Sequence, residues 1–122
     1  MIEAAPVEQP AADALAGVPF SDAEEAWFWF VQARTAQQEG ARLAGGLSTT
    51  PRPCEPLDIM AVADRLYRRR TLSHEHLAVL ARYGRELARP DADVPRQRRA
   101  ATLWRQALDI LAPALRAKGI VA

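Results

Sequence analysis

The sequence predicts an all-α fold: a compact four-helix domain with a central helix-turn-helix-like hairpin, preceded by a disordered N-terminal tail. Three observations carry this expectation. Apolar residues recur at three- and four-residue spacing in four segments, and no segment alternates with the two-residue period of a half-buried strand. Ser, Pro and Gly stand where helices start and stop. No segment repeats at solenoid period.

Residues 1–19 are acidic and rich in Ala and Pro, without periodic apolar spacing. Such a stretch cannot bury enough surface to offset ordering entropy, so it reads as a tail ahead of a single domain over residues 20–122. The first helix is expected to open at Ser21, where Ser21 and Glu24 match a capping box and Asp22, Glu24 and Glu25 suit the positive end of the helix dipole. It should run to about Ala44, with Gly45 and Gly46 as the stop. Its stretch EEAWFWFVQAR holds four consecutive aromatics, and at about 100° per residue they cannot all enter one core. Ala23, Ala26, Trp27, Phe30, Ala33 and Ala41 form one core face. Trp29 falls on a second stripe, with Ala33, Ala36, Gly40 and Ala44, suited to close packing on another helix.

The loop LSTTPRPCEP leads to a second helix from Pro56 to Arg70, with Pro56 in the first turn and a core face of Ile59, Met60, Val62, Ala63, Leu66 and Tyr67. Thr71 and Leu72 make a tight corner. Ser73 then caps a third helix to about Arg89, which buries His76, Leu77, Val79, Leu80, Tyr83, Gly84 and Leu87. A loop with two prolines precedes the last helix, residues 96–118. Its core face is Ala100, Leu103, Trp104, Ala107, Leu108, Leu111 and Leu115, with Gly119 as the stop. Pro113 lies on the polar side, where a bend is the expected outcome.

The chain has 122 residues, 49% of them hydrophobic, enough for one core. It contains no apolar run of the roughly 18 residues that a bilayer span requires, and MIEAAPVEQP lacks the basic and apolar regions of a secretory signal. A soluble, intracellular, cytoplasmic protein with no membrane contact is the expectation. The lone cysteine, Cys54, agrees with a reducing compartment. Arg outnumbers Lys fifteen to one and Ala is abundant, a composition that looks like the coding bias of a GC-rich bacterial genome.

No catalytic constellation is visible, and no cofactor or small-molecule substrate is implied. His74 and His76 stand two apart and point about 200° away from each other on a helix, so they do not chelate a metal. Cys54 has no base near it in sequence. Gly45 and Gly46 follow a helix, whereas a phosphate loop opens one. A binding protein is therefore expected, not an enzyme.

Charge placement suggests what is bound. Net charge is +1, yet residues 1–30 hold six acids and no Arg or Lys, while residues 65–105 hold eleven Arg against four acids. On a helical wheel the outer face of the third helix carries Arg82, Arg85 and Arg89, as a recognition helix in a DNA groove would. Arg65, Arg68 and Arg69 close the helix before it, beside Arg70, and Arg96, Arg98 and Arg99 open the one after, placed to clamp phosphates. DNA or RNA is the first partner class this implies. An α-hairpin within any bundle shows the same pattern, however, and RRRTLS lacks the glycine common in DNA-reading turns. The spacing of RPCEP, HLAVLARYG and LWRQAL distantly resembles small helical transcription factors related to the C-terminal DNA-binding region of sigma factors, over about half the chain. That resemblance implies transcription-related regulation and assigns no residue.

The second class is a protein partner or homodimer. Phe28 shares its direction with Glu24, Gln32, Thr35 and Glu39, and no helix obviously covers it. With Trp29 and Val31 at its flanks it would seed an apolar contact patch. In that case the Arg face meets an acidic partner.

Overall fold

In the computed structural model residues 17–40 and 52–122 are described. They form α1 (Ala23–Glu39), α2 (Pro56–Arg68), α3 (His74–Glu86), a 3-10 turn (Pro95–Gln97) and α4 (Arg98–Ala117). Of the tail expected over residues 1–19, residues 1–16 lie outside the described residues, as do the helix end expected at Ala44 and the stop expected at Gly45 and Gly46.

Local chemistry sets each helix end. Asp22, not Ser21, caps α1: its carboxylate accepts from the Glu25 N–H at 2.8 Å, and Glu25 reaches back to accept from the Ser21 N–H at 2.7 Å and its hydroxyl at 2.9 Å. Those two bonds hold the Glu25 carboxyl below its usual value. The start is thus one residue later than the Ser-x-x-Glu pattern suggests, which frees Glu24 to face α4. The helix ends at Glu39 because Gly40 takes φ 113, open only to glycine.

Pro56 opens α2 as expected, and the Glu55 N–H donates to the Asp58 carboxylate at 2.7 Å. The helix stops at Arg68, two residues short of Arg70. The Arg70 N–H donates to the Tyr67 carbonyl and the Thr71 N–H to the Leu66 carbonyl, both at 2.9 Å, with Arg70 left-handed at φ 64. This is a Schellman turn in which Arg fills the place usually given to Gly. Ser73 caps α3 by accepting from the His76 N–H at 3.1 Å, and His76 Nδ1 accepts from the Ser73 N–H at 3.0 Å. Leu87, left-handed at φ 54, ends α3 well before Arg89. Gly119 closes α4 at φ 77, and Pro113 sits exposed inside a helix that runs on through it.

The core sits where α1 crosses the other three helices. α1 packs on α2, α3 and α4, while α4 packs closely on α3 and also on α2. α2 and α3 therefore lie against α1 and α4 more than against each other, although only Arg69 to Ser73 separate them. Ile59, Val62, Leu80, Leu111 and Leu115 are buried at the centre. Met60 and Tyr67, expected there, are 36% and 42% exposed because no helix covers that side of α2. His76, also expected in the core, is only half-buried; its Nε2 pairs with Gln106 Oε1 at 3.0 Å.

The aromatic run is distributed over three directions. Trp27 is buried and donates its indole N–H to the Leu80 carbonyl at 2.9 Å, and its ring lies 4.9 Å from Phe30. Trp29 is half-buried against the core, with its ring 5.3 Å from Phe20. Phe20 is itself held by a single parallel β-bridge to the far end of α4, its N–H donating to the Ile120 carbonyl at 2.9 Å and its carbonyl accepting from the Ala122 N–H at 2.8 Å. Phe20, Ile120 and Val121 are fully buried, a core contribution that helical periodicity could not reveal.

Candidate nucleic-acid interface

The arginines picked out by sequence are all exposed, but ion pairing separates them into two groups. Arg89, expected beside Arg82 and Arg85 on a recognition face, lies beyond the end of α3 and turns back to Glu24, with Nη2 to Oε1 at 2.9 Å. Glu24 offers its other oxygen to the Trp104 indole N–H, also at 2.9 Å, so one carboxylate joins α1, α4 and the loop between α3 and α4. Arg82 extends over the Tyr83 ring at 5.2 Å and lies 3.7 Å from Glu86. Of the three arginines expected on one face of α3, Arg89 therefore lies off the helix, and Arg85 alone has no carboxylate within 4 Å among the described residues.

The flanking arginines do come together. Arg99 Nη2 meets Glu75 Oε2 at 2.9 Å, which ties the first turn of α4 to the first turn of α3. Glu75 in turn follows the tight corner that ends α2, so Arg65, Arg68, Arg69 and Arg70 share one end of the molecule with Arg96, Arg98 and Arg99. In the segments 64–70, 74–76 and 91–99 these seven arginines stand with four acids, Asp64, Glu75, Asp91 and Asp93, the last two on the turn that Gln97 holds. Asp64 is matched with Arg68 at 3.0 Å. The Arg99 guanidinium holds the Glu75 carboxyl below its usual value. Arg65, Arg69, Arg96 and Arg98 show no ion pair among the described residues, and Arg68 and Arg99 retain outward N–H groups because a guanidinium has five.

The other sequence expectations have clear positions. Phe28 is half-buried with its ring 5.6 Å from Trp104, so α4 covers the side that looked open. Trp29 packs on Phe20, and Val31 faces Gly84 of α3. Phe28, Trp29 and Val31 thus project to three different neighbours, as helical geometry requires of near-adjacent residues, and do not form one patch. Cys54 is half-buried, and burial together with Asp58 and Glu55 pushes its thiol up to about 11, the reverse of an activated nucleophile. Among the described residues no group of three His, Cys, Asp or Glu could hold a metal ion, and no helix is long and apolar enough to cross a membrane.

Sequence reasoning missed an apolar groove of about 430 Å3 between α1, α2 and α3. Its signal was present in Met60 and Tyr67, two large apolar residues on the edge of the α2 core stripe. Reading them as core hid it.

No protein-family model, curated protein or solved structure matches this chain.

Proposed function

We propose that this protein binds nucleic acid through the phosphate backbone, with the arginines that close α2 and open α4. What supports the reading is one contact, the Arg99–Glu75 pair, because it brings two arginine clusters 26 or more residues apart in sequence to one end of the fold. Arg suits this role, since its planar fork donates two hydrogen bonds at once to phosphate oxygens. Binding of this kind positions a protein on a duplex without reading bases, and it releases condensed counterions. The interface is the end of the bundle; the outer face of α3, with Arg82 and Arg89 engaged by carboxylates, takes no part.

Polarisation of a labelled duplex of about 20 base pairs, titrated with protein at two salt concentrations, tests this. Dissociation constants in the micromolar range that weaken steeply with salt are expected. Arg69→Ala and Arg98→Ala should each reduce the salt slope by roughly one, and Arg82→Ala should leave it unchanged. No binding at low salt, or equal losses from Arg82→Ala, would refute the proposal.

A further inference from the structure

The groove between α1, α2 and α3 is a separate feature from the basic end. It exists because α2 and α3 both lean on α1 and α4 and leave the surface of α1 between them uncovered. Trp27, Phe30 and Val31 of α1 form its floor. Met60 and Tyr67 of α2 make one wall, and Leu77 with Ala81 of α3 makes the other. An apolar trough floored by one helix and walled by two others has the shape into which a further helix fits, with anchors at i, i+3 or i+4, and i+7.

Its rim specifies the charge of the occupant. Arg34 and Arg85 stand on opposite sides, Arg34 with Nη1 3.8 Å from the Met60 sulfur, and neither has a carboxylate within 4 Å among the described residues. The acid on the rim, Asp64, is engaged by Arg68 at 3.0 Å. An apolar trough with two uncompensated cations at its lip complements a helix that has an apolar stripe flanked by Glu or Asp. A second copy of this chain is a poor match. The exposed face of α4 offers Arg98, Arg99, Arg105 and Arg116 against the single acid Asp109, so like charges would meet at the rim, and that of α3 has no acidic excess, with Glu75 and Glu86 against Arg82 and Arg85.

We propose that this groove receives an acidic amphipathic helix of a partner protein, anchored on Tyr67 and Met60 and held by Arg34 and Arg85. Asp64 on its rim is paired with Arg68 of the basic end, but Met60, Tyr67, Arg34 and Arg85 are no part of that arginine cluster, so the two proposals are tested on different residues.

The chain has two methionines, Met1 and Met60, which makes the Met60 methyl group a direct probe of the groove. The full chain, 13C-labelled at methionine methyls, is titrated with a synthetic helical peptide of about 16 residues carrying Leu at i, i+3, i+4 and i+7 and Glu on the flanks. The control peptide has every Glu replaced by Lys. The expected result is a saturable shift of the Met60 methyl with the Glu peptide and roughly tenfold weaker binding of the Lys peptide. Combined Arg34→Ala and Arg85→Ala should erase most of that difference while the apolar contact persists. The proposal is overturned if neither peptide shifts Met60, or if both bind equally. It is also overturned if Met60 shifts with protein concentration alone, which places a second copy in the groove. A Met60 shift on replacing Glu3, Glu8 and Asp13 with Gln would overturn it too, since the chain's own acidic head would then be the occupant.

Discussion

Gly84→Ala in α3 sets two effects of opposite sign against each other. At an exposed helix interior, Ala is more stable than Gly by about 0.8–1 kcal/mol, and helix propensity alone predicts a gain. Gly84 is buried where α3 crosses α1, however, and a Cβ there would stand 2.8 Å from Trp27 Nε1 and 2.9 Å from Val31 Cγ2. Ordinary carbon contacts lie near 3.5–4.0 Å, so the two helices would have to separate by most of an ångström. Overpacking of this kind costs about 1–3 kcal/mol. The displacement also strains the buried bond from the Trp27 indole to the Leu80 carbonyl, 2.9 Å long, and leaving that donor unsatisfied costs about 1–3 kcal/mol more. The net expectation is a loss of about 2 kcal/mol, which lowers Tm by roughly 10 °C in a domain of this size. Thermal unfolding followed by far-UV circular dichroism measures it, with Trp fluorescence reporting the Trp27 environment. Ala78→Gly, on the exposed side of the same helix, is the matched control and should lose about 1 kcal/mol from propensity alone. If Gly84→Ala unfolds at or above the parent temperature, the reading of this crossing as a glycine-dependent contact is wrong.

Glu24→Ala should cost about 2–3 kcal/mol in urea unfolding, because it leaves the buried Trp104 indole N–H without an acceptor and Arg89 without its partner. Glu24→Gln keeps a carbonyl oxygen and should cost about 1 kcal/mol, so equal losses would show that the indole bond contributes little. Cys54, with its thiol pushed up to about 11, should be alkylated by iodoacetamide at pH 8 on the order of a hundredfold more slowly than free cysteine. A rate equal to that of the free amino acid would exclude the burial that raises it.

The parts of this fold legible in sequence are those fixed within one helical turn. Pro56 at the start of α2, Ser73 at the start of α3 and Gly119 after α4 all stand where local chemistry puts them. Apolar spacing likewise finds Trp104, Ala107, Leu111 and Leu115 as the buried face of α4. The C-terminal ends of α2 and α3, expected further along the chain, depend on a residue adopting an unfavoured conformation. Arg70 and Leu87 accept left-handed backbone, which costs about 1–2 kcal/mol, and no propensity scale singles them out. Phe20, Ile120 and Val121 belong to the core through one β-bridge between segments about 100 residues apart, which has no periodic signature.

The candidate site divides along the same line. A helical wheel aligns Arg82, Arg85 and Arg89 because it assumes that α3 continues to Arg89, and it carries no information about which carboxylate each guanidinium meets. The helix ends at Glu86, and the partner of Arg89 is a glutamate 65 residues earlier, placed by the one-residue shift in the α1 cap. Turning Arg89 away from Glu24 to a phosphate would give up a 2.9 Å bond and disturb the carboxylate that also accepts from the buried Trp104 indole. Arg65, Arg69, Arg96 and Arg98 have no such bond to give up among the described residues. Exposure alone does not separate the two sets, since all of these side chains are exposed; prior commitment to a carboxylate does. By that criterion Arg65, Arg69, Arg96 and Arg98 stand apart from Arg82 and Arg89, and of the three arginines expected on the outward face of α3 only Arg85 shares their lack of a carboxylate within 4 Å among the described residues.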